Sequence, residues 1–84
     1  MAKKVFVGGL PYATQERELA EFFGAMGEVV SSIIIRDKRT GKSKGFGFVE
    51  FSEEAAAQKA ITELNGKEFG GRTLVVQEAR PLNR

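Results

Sequence analysis

The stretch Lys44–Phe51, KGFGFVEF, holds three of the seven phenylalanines of this 84-residue chain. Its apolar residues alternate as in a β-strand, so Phe46 and Phe48 project from one face and Val49 and Phe51 from the other. Val49 and Phe51 suit the buried face of a small domain. Phe46 and Phe48 then stand on the opposite face, in line with the lysine that opens the stretch. Such a strand needs a second cover or a ligand.

Two glycines, Gly45 and Gly47, alternate with the aromatic residues of this stretch. Glycine adds no side chain to either face and weakens the intrinsic propensity of a strand. We therefore expect both glycines to serve close packing of the backbone against the layer beneath the strand.

The same stretch resembles the eight-residue ribonucleoprotein motif of the RNA recognition motif family, K/R-G-F/Y-G/A-F-V-x-F/Y, and matches every specified position. The family's second motif is a strand of the form aliphatic-aromatic-aliphatic-x-(usually Asn)-Leu. Val5–Leu10, VFVGGL, is similar to it, with Gly9 where asparagine is commoner. The two motifs follow the family's order, and the resemblance extends from about Lys4 to Arg80.

The composition predicts a small globular protein, with 42% apolar and 29% charged residues. We expect one domain over residues 1–84, with a core of about 4–80 and a short tail at 81–84. The chain has neither cysteine nor histidine, so we predict no disulfide, no metal site and no catalytic residues. We expect no cofactor, and no constellation of side chains indicates an enzyme.

No apolar run approaches the roughly 20 residues of a membrane span, and the N-terminus lacks the apolar stretch of a signal peptide. We therefore expect a soluble intracellular protein without a membrane partner. A lone domain that starts at Met1 is similar to the small stand-alone RNA recognition motif proteins of bacteria, which would make it cytoplasmic. A domain excised from a larger factor would look nearly the same and would be nuclear or cytoplasmic.

The net charge of +2 is too small to indicate a partner, but the charges are unevenly distributed. Arg36 to Lys44 carries five cations against Asp37, whereas Thr14 to Glu28 carries four glutamates against Arg17 alone. A basic loop beside the aromatic strand and an acidic helix elsewhere would orient a polyanion toward one side. A solvated loop without a ligand is the alternative.

The periodicity of the chain predicts the order βαββαβ. We expect strands over Lys4 to Gly9 and Val29 to Arg36, then a polar turn over Asp37 to Ser43 that leads back into the aromatic strand. The last strand is expected over Thr73 to Ala79, and Pro81 ends the regular structure. For the second strand, the resemblance implies that Ile34 points inward and that Ile33 and Ile35 point outward. In the last strand, Leu74 and Val76 share one face, and Val75 and Gln77 the other.

Two apolar stripes at helical spacing predict two helices that pack on the sheet. The first stripe consists of Leu19, Phe22, Phe23 and Met26, with Thr14 as the expected N-cap and Gly27 as the stop. The second consists of Ala57, Ala60, Ile61 and Leu64, with Ser52 as the expected cap and Asn65-Gly66 as the end. In the connector Lys67 to Gly71, we expect Phe69 to close the edge of the core.

Right-handed βαβ crossovers then predict an α+β, ferredoxin-like βαββαβ plaque: a four-stranded antiparallel sheet with two helices on one face. The resemblance implies that the first and third strands are central neighbours. Phe6, Phe46 and Phe48 would lie together on the open face. Contiguous apolar patches usually mark binding sites, and each unpaired base stacked on an aromatic ring is worth about 1–3 kcal/mol.

We therefore predict a monomer that binds single-stranded RNA without catalysis, with single-stranded DNA as a second candidate ligand. The resemblance implies that Phe6 and Phe48 stack on adjacent bases and that Phe46 packs against the sugars between them. Lys44 would neutralise a phosphate, and Gln77 and the backbone of residues 78–80 would bind base edges. The predicted RNA-binding residues are Phe6, Lys44, Phe46, Phe48, Gln77, Tyr12, Arg36, Lys42 and Arg80.

Several alternatives stay open at this point. Tyr12 either flanks a base or packs on the sheet edge. Glu50 lies in line with Phe48 on the proposed binding face and either accepts from a base amine or repels phosphate. A C-terminal extension or another subunit would bury the aromatic rings instead of RNA. The main alternative for the whole chain is a protein-interaction module of the same fold, which holds a peptide on its sheet or helix face.

Overall fold

The aromatic stretch forms the second strand from one edge of a four-stranded sheet. The computed structural model describes residues 3–79. Its elements in chain order are β1 (Lys4–Gly8), α1 (Glu16–Phe23), β2 (Val29–Arg36), β3 (Ser43–Phe51), α2 (Glu54–Leu64), β4 (Glu68–Phe69), β5 (Arg72–Thr73) and β6 (Val75–Glu78). The sheet is antiparallel with the strand order β2-β3-β1-β6, and β4 pairs with β5 in a separate hairpin. The predicted ferredoxin-like plaque is confirmed.

The register between β1 and β3 brings the two aromatic motifs together at the centre of the sheet. Phe6 pairs with Phe48 and Gly8 with Phe46, so all three rings project from the same face. On the other side of β1, Phe6 pairs with Gln77 of β6. The predicted central position of the first and third strands is confirmed by this pairing.

Both helices lie against the opposite face and bury its apolar residues. Every second residue of β3, from Gly45 to Phe51, is buried, whereas the residues between them are not. On β2, the relative exposure of Ile34 is 6% and that of Ile33 is 45%, as predicted. The core consists of Val5, Val7, Leu10, Leu19, Phe23, Ile34, Val49, Phe51, Ala56, Ala57, Ala60, Leu64, Leu74 and Val76.

The prediction for the ends of α1 was wrong at both ends. Gln15, not Thr14, precedes the helix, and its N–H donates to the Glu18 carboxylate over 2.8 Å. The helix ends at Phe23 rather than at Gly27. Met26 still packs against the core because a turn continues the path of the helix, with the Met26 N–H donating to the Phe23 carbonyl. Helical spacing of apolar residues therefore extends beyond the helix itself.

Ser52 does not cap α2 as predicted. Its N–H donates to the carbonyl of Glu28 over 3.0 Å, so Ser52 joins the end of β3 to the start of β2, and Glu53 is the residue that precedes the helix. The predicted end of α2 is confirmed, with Asn65 as its C-cap. The Asn65 side-chain oxygen also accepts from the N–H of Val76 over 3.0 Å and thereby links the helix end to β6.

The last predicted strand is shorter than expected because its first residue pairs elsewhere. Thr73 lies in β5 opposite Glu68, and β6 begins only at Val75. The connector that contains Phe69 is thus a small hairpin, and Phe69 packs against the core as predicted. Its ring centroid lies 4.8 Å from that of Phe22 on α1. The first strand likewise ends at Gly8, because Gly9 has a φ of 77°.

Gly47 serves a different purpose from the one predicted. A Cβ built on it would overlap the carbonyl oxygen of Ile33 and lie 3.0 Å from the Cα of Ile34, both on β2. The close approach is therefore to the neighbouring strand and not to the layer beneath. Gly45 has a φ of 87°, which glycine adopts without the strain of a side chain. Its role is conformational, so the prediction for Gly45 was also wrong.

The predicted end at Pro81 and the predicted tail, residues 81–84, lie outside the described residues. Among residues 3–79, no helix combines the length and the apolar character needed to cross a membrane.

Candidate nucleic-acid interface

The centre of the open face is an aromatic cluster formed by Phe6, Phe46 and Phe48. The ring centroids of Phe6 and Phe46 are 5.7 Å apart, and those of Phe6 and Phe48 are 5.9 Å apart. The planes of Phe6 and Phe48 meet at 67°, an edge-to-face arrangement that aromatic pairs favour. Each ring is half-buried because it leans on its neighbours, and none is in the fully buried core.

Residues of all four strands continue the aromatic cluster into a band across the sheet. Ile33 of β2 pairs with Phe48 of β3, and Gln77 of β6 pairs with Phe6 of β1. Both flanking side chains are exposed. Four strands spaced about 4.8 Å apart make this band about 14 Å wide. A shallow depression of about 560 Å³ at its β6 end is lined by Phe6, Phe48, Gln77, Glu78 and Ala79.

The loops at one end of the sheet enclose an open cleft of about 900 Å³. The β1–α1 loop contributes Tyr12, which is 71% exposed, the β2–β3 turn contributes Lys42, and the start of β3 contributes Lys44. Lys44 at the start of β3 is exposed between the buried Ser43 and Gly45, so it lies on the same side of the strand as Phe46. Arg36, Lys42 and Lys44 were predicted from one basic segment and Tyr12 from the loop after the first strand, and this cleft brings them together.

Arg36 differs from the two lysines because its charge is engaged within the protein. Its guanidinium donates to both carboxylate oxygens of Glu16, over 2.6 and 3.2 Å. The hydrogen bond from Arg36 is the main cause that lowers the pKa of the Glu16 carboxyl. Arg36 therefore lines the cleft, but a ligand phosphate would have to compete with Glu16 for it. The sequence carries no signal for this pairing, since the two residues are far apart along the chain.

The Asp37 carboxylate orders the basic turn. It accepts from the backbone N–H of Arg39 over 2.8 Å and of Thr40 over 3.2 Å. These two hydrogen bonds, with a smaller contribution from the charge of Lys44, lower the pKa of Asp37. The Asp37 carboxylate thus orders the turn, while Lys42 on the turn and Lys44 at the start of β3 are exposed.

A set of hydrogen bonds around Gly45 joins the basic turn to the loop after β1. The Gly45 N–H donates to the hydroxyl of Ser43 over 3.0 Å, and its carbonyl accepts from the N–H of Leu10 over 2.8 Å. A Cβ on Gly45 would lie 3.8 Å from the ring of Tyr12. Tyr12 therefore stands beside the backbone that carries Lys44. Ser43 is buried and was not predicted to have a role. In the sequence, only its position next to the basic turn indicates that role.

Two of the predicted residues remain, Gln77 and Arg80, and the structure describes only Gln77. Gln77 lies on the open face beside Phe6, as expected from its alternation with Val76. Arg80 lies outside the described residues. The aromatic cluster, Gln77 and Lys44 thus share one face, and Tyr12 and Lys42 border it at the loop end.

Comparison with known proteins identifies the family. The RNA recognition motif family model matches residues 5–75, and the chain belongs to this family. The chain is 52% identical over 77 residues to glycine-rich RNA-binding protein 10 of Brassica napus, an alignment that covers 92% of this chain and 46% of the relative. The chain therefore spans about half the length of such curated relatives. Other plant relatives are named as mitochondrial or chloroplastic proteins.

Solved structures agree with this assignment. The crystal structure of RNA Binding Protein PG1 is 41% identical with a TM-score of 0.91, over 99% of this chain and 100% of that one. The Sxl-lethal protein/RNA complex is 37% identical with a TM-score of 0.92, over 99% of this chain and 50% of that one. The predicted family and fold are confirmed, and so is RNA binding as the function class of the family.

Proposed function

We propose that this chain binds single-stranded RNA on the open face of its sheet, with single-stranded DNA as a weaker candidate ligand. The observation that carries the proposal is the aromatic cluster at the centre of a face that no described element covers. Its three rings adjoin the exposed Gln77 on one side and the exposed Ile33 on the other. Such a surface has the apolar area of a binding site and the polar groups that orient a ligand.

Stacking explains why the ligand would be single-stranded. Unpaired bases offer free π-faces, whereas the bases of a duplex are already stacked on one another. Phe6 and Phe48 belong to adjacent strands and pair directly, so each can hold one of two successive bases. Phe46 lies beside Phe6 and would pack against the sugars between those bases. The face accommodates about two to four nucleotides.

The exposed cations provide the attraction for the phosphates. Lys44 shares the open face with the aromatic cluster, and Lys42 and Tyr12 line the cleft at the end of that face. Lysine acts on phosphate as a mobile point charge. Phosphate contacts position a strand and carry no sequence information. These contacts are therefore sequence-tolerant, and we infer that the chain binds RNA with about micromolar affinity, or about −8 kcal/mol.

Three further properties belong to this proposal. The chain would act as a monomer, since its exposed apolar side chains on the open face are explained by the RNA. It would be non-catalytic, because stacking and ion pairing need no reactive group. It would be cytoplasmic as a small stand-alone protein of bacteria, and nuclear or cytoplasmic as part of a larger factor.

A salt titration tests RNA binding against the peptide-binding alternative. Affinity for a degenerate short RNA pool is measured by fluorescence anisotropy between 50 and 200 mM salt, with NMR amide shifts as a second readout. Counterion release predicts a steep loss of affinity with salt, with shifts at Phe6, Phe48 and Gln77. Absence of shifts on the sheet at high RNA concentration would contradict the proposal and favour a protein partner.

Matched variants make this test specific to the open face. Phe48→Leu keeps an apolar side chain but removes the aromatic ring, so we expect weaker RNA binding with an unchanged fold. Lys59→Ala removes one exposed positive charge from α2, on the opposite side of the molecule from Lys44. We expect Lys44→Ala to weaken binding more than Lys59→Ala. Equal effects would mean that only the net charge matters.

A further inference from the structure

Glu50 is the one acidic side chain of β3, and it lies on the open face. It follows Phe48 by two residues, so the two side chains project in the same direction about 7 Å apart along the strand. Its half-buried side chain alternates with the buried Val49 and Phe51. A base stacked on Phe48 would therefore present one edge toward the Glu50 carboxylate.

The Glu50 carboxylate is not used to hold the protein together. Within residues 3–79, no ion pair and no side-chain hydrogen bond involves it. Glu16 and Asp37, by contrast, accept hydrogen bonds that fix neighbouring elements. An ionised carboxylate offers acceptors only. A negative charge on a face for a polyanion is unfavourable unless the ligand supplies donors to it.

Lys4 complements Glu50 on the same face. The two residues pair directly across β1 and β3, and Lys4 is exposed. Directly paired residues of antiparallel strands have Cα atoms about 4.5–5.5 Å apart. A base stacked on Phe48 would thus lie next to a row of polar groups, the two acceptor oxygens of Glu50 and the ammonium donor of Lys4.

Guanine matches this row best among the four RNA bases. Its Watson–Crick edge carries two adjacent donors, N1–H and the N2 amine, beside the acceptor O6. The two donors can bind the two oxygens of one carboxylate, and a lysine can donate to O6. Adenine and cytosine place an acceptor nitrogen next to their amine, and uracil places a carbonyl on each side of its N–H. Those acceptors would face the carboxylate without a hydrogen bond, which is unfavourable.

We propose that Glu50 makes the base position on Phe48 selective for guanine, with Lys4 as the donor to guanine O6. This inference rests on the proposed binding of RNA to the sheet face. Hydrogen bonds to an ionised acceptor are stronger than neutral ones, and two parallel bonds add geometric specificity. A bidentate contact to a base edge typically discriminates by about tenfold or more.

The test measures the affinities of short uridine-rich RNAs that differ at one internal position, which is guanosine, inosine, adenosine, cytidine or uridine. Inosine lacks only the N2 amine of guanosine. For the unaltered chain, we expect the guanosine RNA to bind about tenfold more tightly than the inosine or uridine RNA. In Glu50→Gln, we expect the guanosine and inosine RNAs to bind within about twofold of each other. Lys4→Ala should weaken the guanosine RNA more than the uridine RNA.

Controls separate this inference from the proposed function. Glu63→Gln removes one negative charge from an exposed position of α2 and should leave base preference unchanged. Equal binding of all five RNAs, with Phe48→Ala still weakening each, would overturn the role of Glu50 alone. An equal gain in affinity for every RNA in Glu50→Gln would also overturn it, because the carboxylate then only repels phosphate. Loss of any Phe48 dependence would contradict the proposed function itself.

Discussion

Arg36 and Glu16 join the end of β2 to the first residue of α1 through two hydrogen bonds between guanidinium and carboxylate, of 2.6 and 3.2 Å. The same carboxylate accepts from the N–H of Ile34 over 3.3 Å, and the hydroxyl of Ser32 donates to the Glu16 carbonyl over 3.0 Å. Glu16 is thus a junction between helix and edge strand. Its carboxylate also engages Arg36, one of the cations predicted to bind RNA.

Glu16→Gln should change how stability depends on pH. The hydrogen bond from Arg36 lowers the folded-state pKa of Glu16 from its usual 4.5, so near that pH the unfolded state binds more protons. The stabilising contribution is complete above the usual value and is lost as the pH falls through the folded pKa. We expect Glu16→Gln to be less stable than the unaltered chain at neutral pH, with a difference that shrinks in acid.

Urea denaturation at pH 7 and at pH 3 measures this effect. Both side chains of the pair are more than one third exposed, so solvent screens the interaction and the difference should be modest. Glu21→Gln is the control, because Glu21 pairs with Arg17 on the same helix and both side chains are exposed. An identical pH dependence in both variants would show that the link to β2 contributes nothing.

Arg36→Ala should flatten the salt dependence of RNA binding less than Lys44→Ala does. Each neutralised phosphate of a single strand adds about 0.7 to the slope of log affinity against log salt. Lys44 is exposed beside the aromatic cluster and would contribute one such contact, whereas Arg36 is engaged by Glu16. Anisotropy titrations of one short RNA at several salt concentrations measure both slopes. A larger change in Arg36→Ala would mean that RNA displaces Glu16.

Phe48→Ala and Phe6→Ala should weaken RNA binding and leave the fold intact. Each ring that stacks on a base is expected to contribute about 1–3 kcal/mol. Both rings are only half-buried and lie on the face opposite the core. Affinity is measured by anisotropy, and the fold is checked by circular dichroism and the NMR spectrum.

Phe51→Ala is the matched control on the same strand. Phe51 is fully buried, and its ring lies 6.4 Å from that of Phe23 on α1. Removal of a buried phenylalanine typically costs about 3–5 kcal/mol of stability. We expect this variant to be less stable, while its folded molecules bind RNA with the affinity of the unaltered chain. If Phe48→Ala also unfolded the chain, the assignment of its ring to a ligand would be contradicted.

Gly47→Ala should destabilise the sheet between β3 and β2. The added Cβ would overlap the Ile33 carbonyl, which belongs to the backbone and cannot move away as a flexible side chain can. Overpacking of this kind typically costs about 1–3 kcal/mol and sometimes more. Chemical denaturation measures the loss. Gly41→Ala is the control, because a Cβ there meets no atom within 4 Å, and only its φ of 74° opposes the change.

The sequence alone determined the elements whose pattern is local. Alternation over Lys44–Phe51 identified β3 and the side of it that carries Phe46 and Phe48, because successive side chains of a strand point in opposite directions. The run of β-branched residues gave the bounds of β2 correctly. The motif resemblance added the pairing of β1 with β3, which periodicity does not contain. Together these were sufficient to place the aromatic cluster on the open face.

Only the tertiary structure decided how groups far apart in the chain meet. Glu16 and Arg36 are 20 residues apart, and neither carries a local pattern that indicates their pairing. The sequence pattern predicted that Gly47 packs against the layer beneath the strand, whereas the strand pairing places it against Ile33 of β2. Glu53 rather than Ser52 precedes α2, and the backbone N–H of Ser52 donates to the carbonyl of Glu28 just before β2. Periodicity reports which way a side chain faces, whereas hydrogen bonds and close approaches depend on which strand or helix lies beside it.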